Sequence, residues 1–440
     1  MKFKELGKTL LISALSAGVI LSVSSCVQSY TVGYLYVTGT VTAQSNGNGI
    51  ISGFKIDHNT GQLRAINGLP VSSGGANPVR AILLNSSRFL YVLNRGANAE
   101  GGSVCTTADP CKNANITQFA VGANGILTAQ ETFYTQGINP FRMVADGTGS
   151  YLYVLDHDAP SSDACVRALA GATTCGDVTA FQVNSTTGRL QLVMNAQVSS
   201  ASGAQLPYFP VPADPIDFVM AQGNLMTLTG TPATGDSVFP YAYSQASGQL
   251  TVAQSGVDSI GNVTQATAIV SSGNYVFVLD NEPPSSNLTG AQSQILPFTV
   301  SGNTLVAETS GPIADDPSLA NPVWVVIGGS ANNWLYVANQ GNNGQNKPES
   351  GIAGYTINSP FQPQQLPASP FGSGSGPQCL VEDPSHQFFY TANFYDSTVT
   401  GQQLNQQSGG LRPLSDATKA PNTYQLTGQP TWCLIDGRTS

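Results

Sequence analysis

The segment Phe89-Leu-Tyr-Val92 decides the fold, because similar segments recur along the chain at spacings of about 50 to 73 residues. Each is a short run of apolar, aromatic and β-branched residues, which is typical of a β-strand. The seven copies are Tyr34-Leu-Tyr-Val37, Phe89-Leu-Tyr-Val92, Tyr151-Leu-Tyr-Val154, Asn224-Leu-Met-Thr227, Tyr275-Val-Phe-Val278, Trp334-Leu-Tyr-Val337 and Phe388-Phe-Tyr-Thr391. A repeat of this period indicates one supersecondary unit used seven times.

Three further strand-like segments follow each copy in a constant order. In one repeat they are Ile116-Thr-Gln-Phe119, then Gly125-Ile-Leu127 after a turn, then Asn139-Pro-Phe-Arg142. Proline is tolerated at the first position of a strand because the hydrogen-bond ladder has not begun there. Four strands in seven units with few helix signals predict an all-β, seven-bladed β-propeller of four-stranded antiparallel blades over residues 34–440. Two β-sandwiches are the competing fold.

The two chain ends are expected to complete one blade. The chain starts with the strand at Tyr34 and ends with a proline-type strand from Thr431 to Asp436, which is the strand type missing from the start. Pairing of this last strand with the strand Tyr34 to Val37 would close the ring and remove the exposed edges of a linear array.

The composition favours an extracytoplasmic, β-rich protein. Only 9% of the 440 residues are charged, against about 25% in an ordinary soluble domain. The formal net charge of −9 excludes nucleic acid as a partner, because an acidic surface repels phosphates. A monomer is expected.

The N-terminus has the layout of a bacterial export signal. Residues 1–8 are basic, residues 9–23 are apolar, and Val23-Ser-Ser-Cys26 follows. The last segment resembles the lipobox of bacterial lipoproteins, which implies cleavage before Cys26 and acylation of that cysteine. The prediction is a signal peptide over 1–25, a lipidated linker over 26–33, and a membrane anchor that holds the protein facing the periplasm or the cell exterior. The alternative is an ordinary secretory signal with a chance cysteine.

The remaining six cysteines indicate disulfides, since an even number is typical of an oxidising compartment. Cys105 with Cys111 and Cys165 with Cys175 would each close a short loop. Cys379 and Cys433 are left over, in equivalent parts of neighbouring repeats, and their pairing is a hypothesis. Six cysteines allow fifteen connectivities.

The Leu-Tyr-Val strand, preceded by Asn-Pro and by a turn such as Ala145-Asp-Gly-Thr-Gly149, resembles the lactonase-type seven-bladed propellers. That group includes 6-phosphogluconolactonases of the propeller type and carboxymuconate lactonizing enzymes, and YVTN-type surface propellers share the pattern. The likeness spans roughly residues 31 to 440. It implies a propeller fold and possible lactone hydrolysis, with His, Arg and Glu around the channel. The His-Pro common at the inner strands of the family is replaced here by Asn-Pro, Asp-Pro, Gly-Pro or Gln-Pro.

A ring of side chains is predicted at the upper mouth of the channel, two residues after each proline position. Its members are Arg80, Arg142, Asp217, Ala268, Trp324, Cys379 and Trp432. Arginine binds carboxylate or phosphate through paired hydrogen bonds, and tryptophan faces stack on sugars or planar rings. The candidate ligand-binding residues are therefore Arg80, Arg142, Asp217, Trp324 and Trp432. Salt bridges and packing between blades are the alternative.

His157 is the candidate general base, because Asp156 and Asp158 flank it and a carboxylate orients a histidine. Arg142 and Arg80 would then stabilise the oxyanion of a hydrolysed lactone. Alternatively Asp156 caps a turn, as do the residues at the same repeat position, Asn94, Asp280, Asn339 and Asn393.

No motif for a metal or a cofactor occurs, so none is predicted. The sequence thus predicts a lipid-anchored propeller that binds a small anionic or sugar-like ligand, or a protein partner. A lactonase acting on a sugar-acid lactone and a structural envelope protein are the alternatives.

Overall fold

A computed structural model describes most of the chain after the N-terminal segment. The described residues are 30–41, 47–84, 86, 88–98, 105–169, 172–230, 235–253, 256–281, 293–341, 349–358, 361–414 and 422–438. The predicted signal peptide and Cys26 lie outside them. The described residues form 33 strands and one short helix.

The strands of the first half of the chain are β1 (Thr31–Thr40), β2 (Asn48–Asp57), β3 (Leu63–Ala65), β4 (Val71–Ala76), β5 (Pro78–Leu84), β6 (Phe89–Asn94), β7 (Asn115–Val121), β8 (Leu127–Phe133), β9 (Ile138–Ala145), β10 (Tyr151–Asp158), β11 (Gly176–Val183), β12 (Leu190–Leu192), β13 (Phe209–Val211), β14 (Pro215–Ala221) and β15 (Asn224–Thr229). The helix α1 (Ser162–Ala168) lies between β10 and β11.

The remaining strands are β16 (Ser237–Tyr243), β17 (Leu250–Val252), β18 (Asp258–Ser259), β19 (Ala266–Ser272), β20 (Tyr275–Asp280), β21 (Gln294–Ser301), β22 (Thr304–Ala307), β23 (Ile313–Ala314), β24 (Pro322–Gly328), β25 (Trp334–Asn339), β26 (Gly351–Thr356), β27 (Gln364–Gln365), β28 (Pro377–Glu382), β29 (Phe388–Asn393), β30 (Thr398–Leu404), β31 (Leu411–Pro413), β32 (Thr423–Gln425) and β33 (Gln429–Asp436).

These strands form seven separate sheets, and each sheet is one blade. Blade 1 has the order β33-β1-β2-β3, and blade 2 has the order β5-β6-β7-β8. Blades 3 to 7 repeat the order of blade 2, starting from β9, β14, β19, β24 and β28. Five blades carry a short extra strand on their third strand. The predicted seven-bladed propeller of antiparallel blades is confirmed.

The first strands of the blades form the inner ring. Each contacts the first strand of the next blade, from β33 through β5, β9, β14, β19, β24 and β28 back to β33. The ring is closed within blade 1, where Tyr36 lies opposite Leu434 and Thr38 lies opposite Trp432. The predicted pairing of the two chain ends is therefore present, and β1 begins three residues before the expected start at Tyr34.

Buried tyrosines join most of the neighbouring blades. In five junctions a tyrosine hydroxyl of the second strand donates to the carbonyl oxygen of a glycine in the next blade: Tyr36 to Gly125 (2.8 Å), Tyr91 to Gly188 (2.5 Å), Tyr153 to Gly248 (3.0 Å), Tyr336 to Gly409 (2.7 Å) and Tyr390 to Gly61 (2.6 Å). Each of these glycines has a positive φ. At Gly248 an added Cβ would lie 2.3 Å from the Tyr151 ring, so the turn requires glycine for both conformation and space.

Candidate functional site

Every inner strand begins with the same backbone irregularity. Where the residue before the proline is Asn or Asp, its φ is 52° to 60°, a left-handed conformation that these side chains tolerate better than most. One or two residues later each inner strand has a register shift against its neighbour, as between Pro78 and Arg80. A bulge of this kind redirects side chains. It places the seven predicted ring residues in equivalent positions near the start of their strands. Of these, Cys379 is fully buried in its disulfide with Cys433 and lines neither of the cavities described below.

A cavity of about 420 Å³ opens at this mouth. Arg80 and Arg142 line it together with polar side chains from four other blades. Those are the amides of Asn321, Gln340 and Gln378 and the hydroxyls of Thr267 and Thr431. The cavity therefore combines cationic groups with neutral hydrogen-bonding groups.

Asp217 lies beneath the cavity and is shared by the two arginines. Its Oδ1 is 3.0 Å from Arg142 Nε and 3.9 Å from an Nη of Arg80. The Asp217 side chain is only 3% exposed, and its oxygens also accept hydrogen bonds from the backbone amides of Phe218 and Ile269. Two guanidinium groups thus face one carboxylate, which leaves the site positively charged.

The two tryptophans hold Arg80 in place. The Arg80 guanidinium lies 3.7 Å from the centre of the Trp432 ring and 5.3 Å from that of Trp324. The two indole rings meet edge to face at 4.6 Å. This cation–π contact occupies a face of Trp432, and stacking of a ligand on either tryptophan stays a prediction. A second cavity of about 70 Å³ lies between these side chains, Arg142 and Asp217.

The pKa of Arg80 is lowered to about 9, mainly by burial and in part by the nearby charge of Arg142, while Asp217 offsets some of the shift. The positive charge of the Arg80 guanidinium is therefore only partly neutralised by Asp217. An anion bound beside it would raise this pKa again, because an opposite charge favours the protonated form.

Arg95 is a third cation of this region that the sequence reasoning missed. Burial and the charge of Arg142 both lower its pKa, and its Nε is buried without a hydrogen-bond partner. The residue directly follows the end of β6, in a loop at the mouth. Its position after a Leu-Tyr-Val strand is the signal that could have identified it.

His157 lies near the end of β10, beside the candidate site. Its Nδ1 is 3.2 Å from Asp158 Oδ1, and its ring centre is 6.3 Å from that of Phe141. Asp158 also accepts hydrogen bonds from Asn139 and Thr107. The residues that line the two mouth cavities do not include His157, and its predicted catalytic role stays a prediction.

The three disulfides pair as predicted: Cys105 with Cys111, Cys165 with Cys175, and Cys379 with Cys433. The first two close loops after β6 and β10, near the mouth. The third joins the inner strands β28 and β33 of neighbouring blades. Disulfides indicate an extracellular or periplasmic protein. None of the helices in the described ranges is long and apolar enough to cross a membrane.

The comparisons agree with this architecture. Residues 34–205 match the family model described as "Lactonase, 7-bladed beta-propeller". The resemblance to the lactonase-type propellers is confirmed. The periplasmic gluconolactonase of Pseudomonas aeruginosa superposes on this propeller with a TM-score of 0.60 and 16% identity, over 92% of this chain and 99% of that one.

Two Bacteroides structures are also similar to this propeller. A candidate 6-phosphogluconolactonase from Bacteroides fragilis has a TM-score of 0.62 and 12% identity, over 92% of this chain and 98% of that one. Another from Bacteroides uniformis has a TM-score of 0.61 and 13% identity, over 92% and 99%. At these identities the likeness establishes the fold. A search of curated proteins finds no significant match. Within the described ranges no cluster of three or more His, Cys, Asp or Glu residues is placed to hold a metal ion.

Proposed function

We propose that this lactonase-type propeller binds a small anionic, sugar-like ligand at the channel mouth. The charge imbalance around Asp217 carries the proposal, because Arg80 and Arg142 share this one buried carboxylate. A ligand carboxylate or phosphate would supply the missing negative charge, and arginine can bind either group through two parallel hydrogen bonds.

The neutral part of the ligand is inferred from the rest of the wall. Amides and hydroxyls contributed by several blades, such as Gln340, Gln378 and Thr431, suit the hydroxyls of a sugar acid. The cavity volume of about 420 Å³ is within the usual range for small-molecule sites, roughly 300–1,000 Å³.

Calorimetric titration with gluconate, and with neutral glucose as the matched uncharged ligand, tests the proposal. Wild type and Arg412→Ala are expected to bind gluconate more tightly than glucose, because Arg412 is exposed and its side chain bonds Gln403, away from the channel mouth. Arg142→Ala is expected to weaken gluconate binding about 10- to 100-fold, since a hydrogen bond to a charged group contributes about 1.5–3 kcal/mol. Equal affinity in all three proteins, or no preference for gluconate over glucose, contradicts the proposal.

Lactone hydrolysis is the second candidate function, and it is favoured by the family match and by the contact between His157 and Asp158. His157 would take a proton from water as the water oxygen attacks the lactone carbonyl, and Arg142 would stabilise the resulting oxyanion. Collapse of this intermediate breaks the bond between the carbonyl carbon and the ring oxygen, and the protonated His157 returns its proton to that oxygen to give the open hydroxy acid. Hydrolysis of gluconolactone and 6-phosphogluconolactone tests this. His157→Gln is expected to lower kcat about 10²- to 10⁴-fold, with Arg412→Ala unchanged. Equal turnover by His157→Gln and wild type removes His157 from the reaction.

The proposed location is the outer side of a bacterial membrane, with a lipid on Cys26. The support is the signal-like sequence that ends in Val23-Ser-Ser-Cys26, together with the disulfides. Metabolic labelling with a fatty-acid analogue is expected to mark the wild type but not Cys26→Ser. Labelling of both proteins alike would overturn the assignment of the anchor to Cys26.

A further inference from the structure

Blade 3 contains two fully buried aspartates in direct cross-strand register. Asp156 of β10 lies opposite Asp177 of β11, and both residues are 0% exposed. The pair lies next to the position where Leu155 faces Arg142, at the mouth end of the blade. It belongs neither to the cavity wall nor to the proposed ligand contacts.

Other blades place a hydrogen-bond donor at this position. In blade 2 the pair is Asn94 and Asn115, and the Asn94 amide donates to Asn115 Oδ1 at 2.9 Å. In blade 5 the amide of Gln294 donates to Asp280 at 2.7 Å. These side chains bond across the strands, where turn capping was expected for Asn94 and Asp280. Blade 3 has two carboxyl groups instead, and two ionised carboxylates have no donor to offer each other.

The neighbouring residues supply too few hydrogen-bond donors for two ionised carboxylates. Thr179 donates to Asp156 Oδ2 at 3.1 Å, and Thr135 and the Gly137 amide are further donors beside Asp156. Asp156 Oδ1 and both carboxyl oxygens of Asp177 are nevertheless buried without a hydrogen-bond partner of good geometry. The Gly137 backbone packs on the pair so closely that an added Cβ would lie 2.2 Å from Asp177 Oδ2. A proton on one carboxyl would turn an acceptor into the donor that this site lacks.

The groups that act on the pair, or on which it acts, are carboxyl and phenol groups, and the nearest bases are His157, next to Asp156 in the chain, and Arg142, opposite Leu155. Asp158 on β10 acts on Asp177, and Asp177 in turn acts on Tyr208 before β13 and Tyr241 on β16. His157 pairs with Asp158. Among the described residues no ion pair involves Asp156 or Asp177.

We propose that Asp156 and Asp177 hold one proton between them at neutral pH and make the mouth end of blade 3 sensitive to alkaline pH. Burial raises the pKa of both carboxyl groups, and the charge of Asp156 raises that of Asp177 further. These pKa shifts support the proposal. The proposal itself is argued from the cross-strand register of Asp156 and Asp177, from their complete burial and from the shortage of hydrogen-bond donors around them. Loss of the shared proton would leave two repelling carboxylates beside Asp158. Asp158 contacts Asn139 and Thr107 and so connects blade 3 to the loop closed by the Cys105–Cys111 disulfide.

The direction of the pH effect follows from proton binding. An unfolded aspartate titrates at a pKa of about 3.9, so the unfolded chain has lost both protons by about pH 5. The folded pair keeps one. The folded state therefore binds more protons than the unfolded chain. The contribution of this pair to the free energy of unfolding is greatest below about pH 4, and it is lost as the pH rises through the raised pKa. Each retained proton changes the folding equilibrium constant by up to about tenfold per pH unit.

Denaturant unfolding of the intact protein between about pH 5 and pH 9 tests the proposal. Asp177→Asn copies the amide of blade 2 and is expected to flatten the pH dependence and to be more stable than wild type at the alkaline end. Asp163→Asn, in the exposed first turn of α1, is the matched control and should keep the slope of wild type. Equal slopes for wild type and Asp177→Asn overturn the proposal.

Infrared spectroscopy of the wild type keeps the proposal open to disproof even if Asp177→Asn does not fold. A carboxylic-acid carbonyl band is expected at neutral pH and should disappear under alkaline conditions. Absence of this band overturns the proposal. A rise in wild-type stability on adding Ca²⁺ at neutral pH, together with loss of the band, would also overturn it in favour of a bound cation.

Discussion

The hydroxyl of Tyr390, in the last blade, donates a hydrogen bond of 2.6 Å to the carbonyl oxygen of Gly61, in the first blade. The two residues are 329 positions apart in the chain. The same tyrosine-to-glycine bond recurs at four other junctions, so the bond that closes the ring is the repeat contact itself. Ring closure is thus supported by this bond in addition to the pairing of β1 with β33.

Tyr390→Phe is expected to lower the free energy of unfolding by about 1–3 kcal/mol, because the buried carbonyl of Gly61 loses its donor. Denaturant unfolding measures the change. Tyr134→Phe is the matched control, since Tyr134 is 62% exposed, and it should behave like wild type. A loss of stability in both variants alike would show that the hydrogen bond is not responsible.

The junction between blades 4 and 5 lacks the tyrosine and uses a different donor. The repeat position is Met226 here, and the side-chain amide of Asn224 donates to Gly302 at 2.9 Å instead. Asn224→Leu is therefore expected to cost about 1 kcal/mol or more in unfolding free energy. Gln245→Leu, in the exposed turn between β16 and β17 of the same blade, serves as the control. Equal stability of Asn224→Leu and wild type would contradict the assignment.

The sequence could predict this ring because its repeat carries strand, turn and proline signals in a fixed order. The pairing of β1 with β33 follows from that order alone, whereas its register, with Thr38 opposite Trp432, is seen only in the structure. The candidate site was predictable to the level of Arg80, Arg142 and Asp217, since they share one repeat position. The contacts among these three residues could not be predicted. The bulge after each proline changes the direction of the side chains, and the alternation of a regular strand does not specify that change.

Reducing the bond between Cys379 and Cys433 is expected to destabilise the ring more than removing the bond between Cys105 and Cys111. The first pair is separated by 54 residues and the second by 6. Loop-closure entropy predicts about 4 kcal/mol for the longer loop and about 2 kcal/mol for the shorter one. Unfolding of the two double Cys→Ala variants measures both. A larger loss for Cys105→Ala/Cys111→Ala would contradict this ranking.

Asp217→Asn tests the charge balance of the site directly. The substitution leaves Arg80 and Arg142, which are 12% and 27% exposed, without their shared counter-ion. Breaking a buried ion pair on one side costs about 3–5 kcal/mol, and we expect a loss towards the lower end because Arg142 is partly solvated. The site then carries two uncompensated cations, so added gluconate should raise the thermal midpoint of Asp217→Asn more than that of wild type. Glucose at the same concentration is the control and should raise neither midpoint. A gluconate effect of equal size in both proteins would mean that the anion binds elsewhere.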